Sequence, residues 1–431
     1  MMKPILILAL SALSLDLTTA QDSLTVEQVV RLVLSQHPAI VQADQSVRAA
    51  EARVLQSSSA LYPDVKTDAS YAFLAPIAKL AFPGLGEFKL YPASNYDIHI
   101  GGRYTVYDFG KTDATVDLNR SKVRTGRDAV DLTKNLLAYQ AIRVFYAILF
   151  LEQSIEVQDG QIDALRQHLA VTQRRVSAGT ATSFEVLTTE VRIATAQSKK
   201  IDLENAAMKQ RSVLAQYLSL ASGSILRLRG NFDFGTPAVS DDSLLQSASR
   251  QRVELKLAAD AERSAEFQQK FAALGNKPSL KFNLTYGFKN GYIPNLDVLR
   301  GNMAAAVTAE VPIFDGWKTD HQQEEAQAQL MAEQARERDI QQQVRSDVQQ
   351  AIADVQSAAL KISLSELQVR HAEEAVSIAR SRYDIGTVTN LDLLDAQTAE
   401  SEARLGNLQA RYKLVMSRYE LQRAIGAKPV E

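Results

Sequence analysis

Residues 382–398, RYDIGTVTNLDLLDAQT, decide how the chain is read, because residues 175–190, RVSAGTATSFEVLTTE, repeat their pattern. Each stretch predicts a tight reversal between two helices. Gly386 and Gly179 supply the left-handed backbone that ends a helix, and Thr387 and Thr180 follow. An acidic residue six places past each glycine, Asp392 or Glu185, suits the positive end of the helix that restarts. Gly386 follows Gly179 by 207 residues, and a second pair of motifs, 108–111 (DFGK) and 315–318 (DGWK), has the same 207-residue separation. The segments between corner and turn are therefore equally long in both halves, which points to an internal duplication.

Those segments carry a heptad seam. Val344, Ala351, Ala358, Ser365, Ala372 and Ala379 recur every seven residues, interleaved with Val348, Val355, Ile362, Val369, Val376 and Tyr383. In the first half Leu137, Val144, Leu151, Gln158, Leu165 and Thr172, with Ala141, Ile148, Ile155, Ile162, Leu169 and Val176, keep the same register. A period of seven demands under-wound, supercoiled helices. At about 1.5 Å per residue, a run of nearly seventy residues is on the order of 100 Å long, too long for a compact domain and suited to bridging a compartment. Past each glycine a returning helix, 183 to about 220 and 390 to about 425, pairs back along it. Upstream, an amphipathic helix is expected over 23–35, capped by Thr25 or Ser23 and broken at His37-Pro38, with a second from about 39 to 60.

Elsewhere the period changes to two. Val65, Thr67, Ala69, Tyr71 and Phe73 share one face of a strand over 64–73, and Tyr96, Ile98, Ile100, Gly102, Tyr104 and Val106 one face of a strand over 96–107. The second half repeats this with Leu280, Phe282, Leu284, Tyr286 and Phe288 over 280–289, and with Met303, Ala305, Val307, Ala309, Val311 and Ile313 over 303–313. Long loops, 74–95 and 290–302, join each pair. Alternating strands of about ten residues fit a membrane-spanning barrel strand, and also a half-buried strand of a soluble sandwich. Four strands cannot close a barrel, and each backbone group left unpaired in lipid costs several kcal/mol. Copies of the chain must then pool their strands. A dimer would reach the minimum of about eight and a trimer would give twelve; the strand count leaves that choice open.

Composition narrows the class. The 431 residues carry a net charge of −2, and nothing in the balance calls for a nucleic-acid partner. The first twenty residues read as a secretory signal, with Lys3 before an apolar core at 5–15 and a small-residue cleavage site at 18–20. No later stretch reads as apolar enough to span a membrane as a helix, so the crossing is assigned to strands. The division is signal peptide 1–20, first repeat 21–225 and second repeat 226–431, with a linker at 222–242 marked by Gly223, Gly230, Gly235 and Pro237. There is no cysteine, which removes disulfides, thiolate chemistry and a lipid-bearing N-terminal cysteine. The five histidines lack metal-ligand spacing, and neither a nucleophile motif nor a phosphate loop occurs. The reading is therefore not an enzyme, without cofactor or metal.

The opening SLTVEQVVRLVLSQHPAI, the two corners and both glycine turns together resemble the outer-membrane efflux protein family, the trimeric channel-tunnels of tripartite efflux pumps and type I secretion systems. The resemblance spans essentially the whole chain after the signal. It implies an α+β membrane protein: a homotrimer in the outer membrane, with a shared twelve-stranded barrel above a long periplasmic helical tunnel. It also implies a tip that opens when a periplasmic adaptor and inner-membrane transporter dock.

By the same resemblance Tyr383 and Glu185 form the tip gate, although Tyr383 also fits as a packing residue closing the heptad seam. Asp392 and Asp395 match the family's entrance carboxylate ring, although an acidic first turn alone would account for Asp392. Gly179, Thr180, Gly386 and Thr387 are the expected adaptor contacts. The family's gating arginine and its threonine partner are replaced by Val388 and Phe184, so that polar latch is missing and the closed state is expected to rest on apolar contact or to be weaker. The alternative function is a periplasmic coiled-coil adaptor, which would need one hairpin and no amphipathic strands. The transported substrate is not encoded in these features. The missing lipid-bearing cysteine leans toward the unlipidated, secretion-type branch.

Overall fold

A computed structural model describes residues 23–84, 86–221, 226–232 and 241–428. The expected signal segment, and most of the linker between halves, lie outside the described residues.

The duplication extends to every α-helix among the described residues. Helices α1 (Val26–Gln36) and α2 (Pro38–Ser58) are 11 and 21 residues long, as are α5 (Asp241–Gln251) and α6 (Val253–Ala273) of the second half. The long helices α3 (Lys111–Ser177) and α7 (Lys318–Asp384) each have 67 residues, and the returning helices α4 (Ser183–Tyr217) and α8 (Asn390–Ala424) each have 35. Thr25, not Ser23, caps α1 in a reciprocal box with Gln28, which fixes where that helix starts.

Four long strands form one antiparallel sheet in the order β1 (Asp64–Phe73), β4 (Ser94–Tyr107), β5 (Ser279–Lys289), β6 (Arg300–Glu310). Register aligns the apolar face across all four: Thr67 opposes Ile100, Ile100 opposes Tyr286, and Tyr286 opposes Met303. That face, including Val65, Tyr71, Ile98, Phe288 and Val307, is exposed along its whole width, as lipid contact requires. Strand β6 lies three residues earlier than the alternation indicated. Its ladder runs from Lys289↔Arg300 to Ser279↔Glu310 and stops where β5 does, so Val311 and Ile313 continue the apolar pattern outside the sheet. The first long loop also holds a hairpin, β2 (Lys79–Phe82) with β3 (Gly86–Lys89).

At each strand-to-helix corner two successive residues take left-handed backbone, Phe109-Gly110 and Gly316-Trp317. Asp108 and Asp315 then cap the helix: Oδ2 accepts the amide of Thr112 at 2.8 Å or of Thr319 at 3.0 Å. The Thr319 hydroxyl and amide hold the Asp315 carboxyl below its ordinary range. Lys111 donates to the carbonyls of Gly275 and Lys277, joining the corner of one half to the strand entry of the other.

Near the sheet the helices lie side by side as α2–α3–α6–α7, and farther away as α4–α3–α8–α7. The heptad seams are the buried ones: Val348 and Val355 in α7, Ala141, Ile148 and Leu165 in α3. One expectation is corrected. Among the described residues α3 does contain a stretch apolar enough to cross a bilayer. Its apolar side chains are used instead for packing, since Ala141, Ile142, Phe145 and Ile148 are wholly buried in the cluster that includes Val29 and Val33 of α1. Each of the buried isoleucines and the phenylalanine contributes about 1.5–3 kcal/mol of burial.

Candidate functional site

The end of the bundle farthest from the sheet gathers every residue singled out from sequence. The two turns are alike in their bonds. Gly179 (φ 74°) and Gly386 (φ 78°) are left-handed. The amides of Gly179 and Gly386 reach Val176 and Tyr383 carbonyls at 3.0 Å, and those of Thr180 and Thr387 reach Arg175 and Arg382 carbonyls at 2.9 Å, the Schellman pattern. Each threonine hydroxyl adds a second bond to the same arginine carbonyl at 3.1 Å. All four turn residues are exposed.

The restarting helices are capped reciprocally. Thr389 donates its amide and hydroxyl to Asp392 Oδ2 at 2.8 and 2.7 Å, and these bonds hold the Asp392 carboxyl below its ordinary range. Thr182 does the same to Glu185 Oε1, at 3.3 Å for each bond.

Glu185 keeps its other oxygen for a bond across the two repeats: the Tyr383 hydroxyl donates to Oε2 at 3.2 Å. Tyr383 is buried, so it is at once the last seam residue and a hydrogen-bond donor. Its ring is edge-on to His168, with centroids 5.1 Å apart, and lies under the Arg175 guanidinium at 4.5 Å. Arg175 donates to the Tyr383 carbonyl at 3.1 Å and to the Asp384 carbonyl and carboxylate at 3.3 Å each. The buried His168 is 2.5 Å from Asn390 Oδ1, and Asn390 donates to the Glu185 carbonyl at 3.4 Å. Asp395 is exposed on the same helix as Asp392 and accepts from Arg192 at 2.7 Å.

Sequence reasoning placed Tyr383 against Glu185, and they meet. It missed Arg175, His168, Asn390 and Arg192. Arg175 did leave a trace, since an arginine stands four residues before both turn glycines. Of the two positions where the resemblance expected a polar pair, Val388 is half-buried and Phe184 is 74 % exposed.

Among the described residues no group of acidic and histidine side chains could hold a metal ion. The arrangement is a set of charged and neutral hydrogen bonds tying one helical hairpin to another, suited to holding or releasing their relative position.

Comparison with known proteins bears on what such a bundle end belongs to. The family model described as outer membrane efflux protein matches residues 29–219 and 244–427. The chain is 20 % identical over 434 aligned residues to the outer membrane protein TolC of Vibrio cholerae serotype O1, covering 99 % of this chain and 96 % of the relative. Its fold is similar to that of CusC, with a TM-score of 0.82 at 16 % identity, over 93 % of this chain and 92 % of that one. It is similar also to the outer membrane protein VceC of Vibrio cholerae, with a TM-score of 0.79 at 17 % identity, over 93 % and 96 % of the two chains.

Proposed function

Since the chain belongs to the outer membrane efflux protein family, we propose that three copies assemble into one channel whose periplasmic tip is gated. It is an outer membrane efflux channel, with its strands in the membrane and its helices in the periplasm. One observation carries the assembly of copies, while the number three rests on the family: the protomer is open on both sides, in sheet and bundle alike. Among the described residues, strands β1 and β6 each pair on one side only, yet their apolar face is built for lipid, where unpaired backbone is costly. Helix α4 exposes Phe184, Leu187, Val191, Ile201 and Met208, and α7 exposes Leu360, Leu364, Leu367 and Ile378, at heptad-related spacings. One side of the protomer thus offers β1, α2 and α4, the other β6 and α7. Head-to-tail closure of such sides makes a ring, and three copies give a twelve-stranded barrel.

At the tip, Glu185 and Tyr383 form the gate within each protomer, supported by the Arg175 and His168 contacts. Asp392 and Asp395 form an entrance ring whose charge Arg192 partly offsets, favouring cations. The exposed turns at Gly179, Thr180, Gly386 and Thr387 receive a periplasmic adaptor, and an inner-membrane transporter chooses the substrate of a tripartite pump or type I secretion system. The adaptor alternative is set aside, because an adaptor has no use for a four-stranded sheet with a lipid-facing surface.

Reconstitution in planar bilayers tests this reading. Purified protein is expected to give discrete, cation-preferring conductance steps; protein that inserts without conducting, or stays in solution without detergent, contradicts it.

A further inference from the structure

Each residue of α3 and α4 has a counterpart 207 positions later in α7 and α8. The seam between the two repeats can therefore be compared with the surfaces left open on either side of the protomer. Inside the protomer, Leu394 of α8 fills a socket made by Ile162 and Leu165 of α3 and Ala196 of α4, and is wholly buried. Its counterpart Leu187, on α4, is 59 % exposed. The socket's counterparts are Val369, Ala372 and Ala403, all half-buried, on the opposite side of the protomer. The chain thus carries a leucine without a socket and a socket without a leucine.

The same offset pairs Arg175 with Arg382. Arg175 crosses the internal seam to the Tyr383 and Asp384 carbonyls. The Tyr383 carbonyl already accepts the Gly386 amide at 3.0 Å, so Arg175 donates to that carbonyl's second lone pair. The counterpart acceptors are Val176 and Ser177, and the Val176 carbonyl likewise accepts the Gly179 amide at 3.0 Å. Arg382 is exposed in the last turn of α7, and its side chain has no partner among the described residues. The other polar ties are not duplicated: Tyr383, His168 and Arg192 correspond to Val176, Ala375 and Ala399.

We propose that neighbouring copies meet at the tip by repeating the protomer's own internal seam. Leu187 of one copy enters the socket of the next, and the partner's Arg382 donates to the Val176 and Ser177 carbonyls of the first. Arg175 and Arg382 then alternate around the tip, clamping helix ends within and between protomers. This rests on the trimer reading above, which it deepens by naming the contact.

The chain has no cysteine of its own, so paired cysteines test the contact without background. Arg382→Cys with Ser177→Cys is expected to give a band at three times the chain mass on a denaturing gel after treatment with a short bifunctional maleimide. The matching internal pair, Arg175→Cys with Asp384→Cys, is expected to stay at the mass of one chain. Each single variant can link two chains at most. The native mass in detergent is measured on the same samples. A native mass of three chains with no covalent trimer from the Arg382→Cys, Ser177→Cys pair overturns the inference and leaves the trimer standing. A native mass of one chain overturns both.

Discussion

Glu185 divides its carboxylate between two tasks, Oε1 closing a helix cap and Oε2 accepting the Tyr383 phenol. A hydrogen bond to a charged group is worth about 1.5–3 kcal/mol, so the gate proposed here would be small enough for a docking partner to overcome. Tyr383→Phe with Glu185→Gln is expected to raise the closed-state conductance in bilayers, and an unchanged conductance would remove the latch from the account. Asp392→Ala with Asp395→Ala should lower cation selectivity, read as a reversal-potential shift in a salt gradient. Arg192→Gln should raise it, because Asp395 then loses the cation 2.7 Å away; reversal potentials that do not move would exclude the ring. Tyr383 and Glu185 were legible only through the family resemblance, which aligns each to a place beside a turn. Arg175, His168 and Arg192 were not, because their partners lie 209, 222 and 203 residues away. No local period encodes such pairings.

At the scale of elements, α6 lies between α3 and α7 with an acid-to-acid contact on each side. Burial, together with a bond and charge from Asp128, pushes the Asp260 carboxyl above its ordinary value, against the pull of Arg124 and Arg263. A hydrogen bond from Glu262, with burial, does the same for Glu337. A carboxyl raised in the folded state contributes stability that is complete below its unfolded value, 3.8 for Asp260, and is lost as pH rises through the folded one. Asp260→Asn mimics the protonated form. Its Tm should match the parent at the acid end of that window and exceed it at neutral pH; a constant difference would contradict the raised Asp260 carboxyl. Removing packing acts on the same elements: Leu165→Ala, in the tip seam, should cost about 2–5 kcal/mol, checked by chemical unfolding. The long helices were legible because a strict seven-residue period extends over their whole length. The hairpin β2–β3 was not, since strands of four residues are too short to establish alternation. The shift of β6 escaped because alternation fixes which face a residue takes, while the partner strand decides where pairing stops.

At the scale of the molecule, one protomer is, in the proposed trimer, a third of a closed object. Its lipid-facing sheet has two free edges and its bundle two apolar sides, and the duplication makes these complementary. The necessity was visible in sequence, because counting amphipathic strands shows that one chain cannot seal a barrel. The number of copies was not, because strand counting permits a dimer as well as a trimer. The most direct measurement is the native mass of the detergent-extracted protein, by mass spectrometry or light scattering with the detergent subtracted. The account predicts three chains per particle, and a particle of one chain, or of two, would contradict it.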